Sequence, residues 1–146
     1  MESAFLLPDP DDAEARPFWQ ATARGELCVQ RCAECGRFRM PPRPMCPHCR
    51  SLASEWHAVS GRGRIWSFAV PHPPLLPAYA AYAPYNVVVV ELDEDPGLRL
   101  VGNLVASVDD PINGIDPATI AIGEAVRVVF APVENVAFPR WVRALA

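Results

Sequence analysis

The chain has 146 residues, 51% of them hydrophobic, and carries 17 acidic against 13 basic side chains for a net charge of −4. Every basic residue is an arginine, and 17 residues are proline, well above the usual level of about 5%. This excludes a chain disordered throughout, a membrane-spanning helix, which needs about 18 consecutive apolar residues, and a long helical bundle, which the prolines from Pro41 onward would break.

Residues 1–12 read as an acidic, solvated tail without the basic region of a secretory signal, so a soluble cytoplasmic protein is expected. Residues 13–23 read as a short helix. Asp11 or Asp12 is placed to cap it, Pro17 suits its first turn, and Gly25 ends it. Phe18 with Ala21 and Trp19 with Ala23 give it a docking face.

Residues 27–50 hold four cysteines in two Cys-x-x-Cys pairs and little regular structure. Residues 54–70 alternate like one long strand, with Trp66, Phe68 and Val70 on one face and Ile65, Ser67 and Ala69 on the other. Gly61 and Gly63 predict a bulge or bend within it. Residues 71–84 form a proline-rich loop long enough to carry function. Residues 86–92 hold the Val87–Val90 run of a strand buried on both faces, residues 93–97 turn, and residues 98–105 return. A second long loop covers residues 107–117. Strands follow at 125–131 and at 133–142, the last interrupted by Pro139. Trp56, Trp66, Phe68 and Phe130 read as core aromatics. Five strands with a glycine bend fit a small Greek-key barrel of the OB type. A five-stranded sandwich fits the same periodicity.

Cys32-x2-Cys35-x10-Cys46-x2-Cys49 carries the strongest chemical signal. Each Cys-x-x-Cys turn points two thiolates at one centre, and two turns complete a tetrahedral four-sulfur zinc site. Such a site has no open position, so its Zn2+ is structural and supplies folding free energy to a segment with almost no core. A rubredoxin-type iron site uses the same ligands, but the short spacer and the lack of glycine after Cys49 weigh against it. Cys28 reads as a buried free thiol.

Zinc ribbons and OB barrels both occur in nucleic-acid binders, which makes that the alternative function. The ribbon carries Arg31, Arg37, Arg39, Arg43 and Arg50. Zinc with four thiolates adds a formal charge of about −2, and the remaining chain is acidic, so phosphate-backbone binding is disfavoured. These arginines remain available to a phosphate, because a small-molecule site needs only one or two of them. Of the three histidines, His48 lies inside a knuckle and His57 on a strand face. His72, between Pro71 and Pro73, is the one placed to reach a ligand. No Ser-His-Asp or Cys-His signature and no phosphate loop is present, so no catalytic residue is assigned.

Pro17-Phe18-Trp19, Gly25-Glu26-Leu27, Gln30-Arg31-Cys32, Cys35-Gly36, Pro41-Pro42-Arg43, Cys46-Pro47-x-Cys49, Ser60-Gly61-Arg62-Gly63, Pro84-Tyr85 and Ile122-Gly123 occur in that order. This pattern, over about residues 14–132, resembles the zinc-ribbon/OB-fold family of acyl-CoA-associated proteins. The resemblance implies a mainly β fold: an N-terminal helix (1–26), a rubredoxin-like zinc ribbon (27–52) and a five-stranded OB barrel (53–146). It implies a non-catalytic accessory subunit paired with a thiolase-superfamily enzyme, such as a thiolase, an acyltransferase or a lipid-transfer-like aldolase. Its role would be assembly and access of a CoA thioester to the partner. The family's metal ligands carry over to Cys32, Cys35, Cys46 and Cys49. Pro84 and Tyr85 match the motif and, with Arg43 and His72, are expected at the partner or CoA surface.

Overall fold

The structure is a computed structural model and describes residues 5–144. Helix α1 (Arg16–Ala23) is followed by β1 (Leu27–Cys32), β2 (Phe38–Arg39), β3 (Ser54–Val59) and β4 (Arg62–Ala69). A short helix α2 (Pro77–Ala80) precedes β5 (Val87–Leu92) and β6 (Arg99–Gly102). A 3-10 turn at Pro117–Thr119 leads to β7 (Ala125–Val133) and β8 (Val136–Arg143). The fold is mainly β, as expected, with a ribbon sheet β2-β1-β3 and a curled sheet β6-β5-β4-β7-β8.

The helix starts later than its pattern suggests. Asp12 Oδ1 accepts from the Glu14 and Ala15 amides, one step upstream of the first turn. Gly25, at φ 78°, closes the other end. Its N–H donates to Thr22 O, and the Glu26 N–H donates to Ala21 O. That pair of bonds is the Schellman arrangement, and it favours glycine at the left-handed position.

The long strand expected over residues 54–70 is divided at Ser60-Gly61. β3 pairs along its whole length with β1, whereas β4 pairs with β5 and β7. Gly61 lies at φ 75° with Val128 packed against it. A Cβ on Gly63 would come within 2.3 Å of the Glu91 carbonyl oxygen, so only glycine allows β4 and β5 to pair here. A further bulge falls between Ile65 and Ser67. It shifts the side-chain parity, so Phe68 ends opposite the buried Val88, while Trp66 stays on the outer surface.

The barrel-or-sandwich ambiguity is resolved after β6. Leu104 makes a parallel bridge to Trp141 of β8. The Trp141 N–H donates to Asn103 O, and the Val105 N–H to Trp141 O. The sheet therefore closes on itself as an OB barrel. Ile65, Val88, Val90, Leu100, Leu104, Val126 and Trp141 fill it, and Phe18, Leu27 and Val29 extend the same core toward the ribbon. Three readings are corrected. The Val87–Val90 run alternates, with Val88 and Val90 fully buried and Val87 and Val89 half-buried, because an antiparallel barrel strand has one interior face. The central core aromatic is Trp141, while Trp56, Phe68 and Phe130 pack at the core edge. Pro139 does not interrupt β8, which runs through it opposite Phe130.

Asn86 completes the closure. Its side chain donates to Leu104 O at 2.9 Å and accepts from the Leu104 N–H, and the Asn103 amide donates to Asn86 O. A side-chain amide thus takes the place of a strand at the seam. Among the described residues no helix is long and apolar enough to cross a membrane.

Candidate metal centre and adjoining surfaces

The two knuckles adopt matching local folds. Gly36 N–H donates to Cys32 O, and Arg50 N–H donates to Cys46 O. Both fourth-position residues are left-handed, Gly36 at φ 75° and Arg50 at φ 67°. Backbone amides also turn toward sulfur, from Cys35 to Cys32 Sγ and from His48 to Cys46 Sγ, each at 3.4 Å. Cys32 and Cys46 are buried, and Cys35 and Cys49 face solvent.

The four sulfurs converge. Cys32 and Cys49 are 3.5 Å apart, Cys35 and Cys46 3.7 Å, and all four lie within 4.8 Å of one another. A tetrahedron with metal–sulfur bonds of about 2.3 Å has edges of about 3.8 Å, so the cradle fits a zinc-sized ion. The electrostatics point the same way. The Cys35 amide is the main reason the Cys32 thiol is pulled down to about 6. The Cys49 amide does most to lower Cys46. The Ser51 amide pulls Cys49 down too, but crowding by Cys32, burial and the other two sulfurs outweigh it and push the thiol up to about 11. Four thiols this close cannot all ionise alone; a cation at their centre allows it. Cys28 lies outside the group, and burial pushes its thiol up.

A polar network braces the spacer between the knuckles. Buried Gln30 accepts from Arg39 Nε and from the Arg43 amide, while the Arg39 guanidinium donates to Arg43 O. Arg43 is thus held by its backbone, and its side chain is exposed. The sequence marks Gln30 only as part of a motif and Arg39 only as one of the ribbon's arginines; nothing local shows that the two meet.

The other expected surface residues disperse. His72 and Pro84 are exposed, but Tyr85 is buried, its ring 6.0 Å from that of Tyr79. Tyr79 and Tyr82 turn inward onto Phe5, which stacks on Tyr82 at 5.1 Å. Hence the tail is packed at Phe5 rather than solvated throughout; residues 1–4 lie outside the described residues. Leu76, by contrast, is 61% exposed. His48 Nδ1 accepts from the Arg37 guanidinium at 2.8 Å, and His57 meets Glu55.

A cavity of about 460 Å3 opens where the N-terminal segment, α1, the proline spacer and the outer face of β6 and β8 meet. Phe18, Trp19, Met40, Tyr79 and Phe138 give it an apolar lining, and Arg99 and Arg140 add charge. Trp19 and Phe138 meet edge to face at 5.9 Å, and the Arg99 guanidinium lies 3.8 Å over Trp66.

Comparison with known proteins agrees with this geometry. Residues 19–55 match the rubredoxin-like zinc ribbon domain of ChsH2, and residues 56–131 match its C-terminal OB-fold domain. A 3-oxo-4,17-pregnadiene-20-carboxyl-CoA hydratase alpha subunit from Mycobacterium tuberculosis is 36% identical over 95% of the chain. A probable enoyl-CoA hydratase alpha subunit from Thermomonospora curvata is 38% identical over 92%. The chain spans only 42% and 41% of those two proteins. A DUF35 domain-containing scaffold protein from Methanothermobacter thermautotrophicus is 36% identical, with 77% of each chain covered. Among solved structures, a chain of an Ltp2–ChsH2(DUF35) aldolase superposes with a TM-score of 0.74 at 32% identity, covering 94% of this chain and 100% of its own. The chain carries a rubredoxin-like zinc ribbon whose four cysteines are positioned to hold a metal ion, and it belongs to the ChsH2 family of DUF35 proteins.

Proposed function

We propose that the protein is a non-catalytic accessory subunit of an enzyme acting on acyl-CoA, and that its partner is a thiolase-superfamily subunit. The observation that carries this is the match along the whole ChsH2(DUF35) chain of a two-component aldolase. The relatives named as CoA hydratase alpha subunits and as scaffold proteins support the same role. Cys32, Cys35, Cys46 and Cys49 are the proposed zinc ligands. Four thiolates leave no open position on tetrahedral zinc, so the ion would hold the ribbon's shape rather than activate water.

This chain's own part is to present surface. The ribbon offers the exposed Arg43 side chain and Met45, and the proline-rich loop offers His72, Leu76 and Pro84. We place the partner there, with a CoA thioester at the shared boundary. Tyr85 is proposed to back that surface through Tyr79 rather than to touch the partner. The test is affinity purification of the tagged chain from its native host. Recovery of a thiolase-like protein in stoichiometric amount is expected. Its absence, with the tagged chain folded and zinc-loaded, sinks the proposal.

A further inference from the structure

The outer face of β8 holds a charge without a counter-charge. Arg140 is only 9% exposed. Its backbone pairs with Val129 of β7, but among the described residues its guanidinium has no ion pair and no hydrogen bond. Its described contact is the Phe5 ring, with the guanidinium 5.6 Å from the ring centroid. Taking a guanidinium out of water is costly unless an anion or several acceptors replace the hydration. Asp109 and Asp110 line a second cavity that borders Arg140, together with Tyr82, and neither forms an ion pair with it.

On its near side Arg140 borders the 460 Å3 aromatic cavity. The volume falls in the range of small-molecule sites, as does an apolar lining with a few fixed polar groups. The walls come from α1, the ribbon spacer and the barrel, so an occupant would touch all three. We infer that this cavity binds an organic monocarboxylate with an apolar body. The carboxylate meets the Arg140 fork, and the body lies between Trp19, Met40 and Phe138. A planar guanidinium matches a carboxylate with two parallel bonds. Arg99 at the rim is exposed and lies over Trp66, which leaves Arg140 as the buried cation to balance one negative charge; a phosphate monoester would bring close to two into an apolar pocket. The site lies within this chain and does not rest on the proposed partner.

The test is isothermal titration of the full-length, zinc-loaded protein with decanoate, 1-decanol and decyl phosphate. Decanoate is expected to bind at least tenfold more tightly than either. Arg140→Met, which keeps length without charge, should bring decanoate and decanol to equal affinity. Arg140→Lys should retain part of the preference, which keeps the test open if the Met variant folds poorly. No decanoate binding, equal affinity for decanoate and decanol in the unaltered protein, tighter binding of decyl phosphate, or an unchanged preference in Arg140→Met would each overturn the inference.

Discussion

The ribbon and the barrel reach order by different means. The barrel encloses apolar side chains within a closed hydrogen-bonded wall, with Val88, Val90, Leu104 and Trp141 all fully buried. The ribbon surrounds four sulfurs and a Gln30–Arg39–Arg43 network and contributes few apolar residues of its own. Leu27, Val29 and the helix residue Phe18 join the two, because they share the barrel's core. Apolar burial is spread over many contacts and degrades gradually. A four-ligand site fails when one ligand is lost.

Loss of the metal should separate the two regions most. Cys46→Ser, or chelation, removes a contribution of about 10 kcal/mol or more for a structural zinc site. Amide hydrogen exchange should show residues 27–52 unprotected while β4–β8 stay protected. Uniform loss of protection would show that the barrel needs the ribbon. Metal analysis should return one zinc per chain on the order of unity, and visible iron absorbance would contradict it.

A defect in the barrel should act globally. Trp141→Ala empties a fully buried site and is expected to cost about 3–5 kcal/mol in denaturant unfolding. Zinc stoichiometry should be retained under native conditions. Asn86→Ala leaves the Leu104 N–H and carbonyl without their partner at the seam, at a cost of about 2–3 kcal/mol. Exchange should rise first at residues 103–105 and 141. An effect under about 0.5 kcal/mol would mean the parallel bridge closes the barrel unaided.

The smallest effect tests the match between knuckles. Arg50 occupies the left-handed position that Gly36 fills in the first knuckle. Arg50→Gly should stabilise the ribbon by about 1 kcal/mol, read as slower zinc transfer to a chelator. Faster transfer would show that the Arg50 side chain contributes more than its backbone costs.

Much of this architecture was legible in local pattern. Cys-x-x-Cys spacing is a short-range constraint, so the metal cradle follows from chain geometry. The start of the helix was placed early because Asp12 caps a turn before it rather than its first turn. The β3/β4 division was hidden because both strands alternate, and only their different partners separate them. The Ile65–Ser67 bulge likewise put Trp66 and Phe68 on opposite faces without a sign in composition. Among the expected surface residues, Tyr85 proved buried because Phe5 and Tyr79 fold over the loop.

By itself the sequence determined the four-thiol centre, the mainly β class and the position of the turns, since each depends on residues close along the chain. Tertiary structure alone decided that the strands close into a barrel, that Asn86 seals it, and that Arg140 is buried beside an aromatic cavity. Those features join residues up to 135 positions apart, such as Phe5 and Arg140, and no local periodicity records such a meeting.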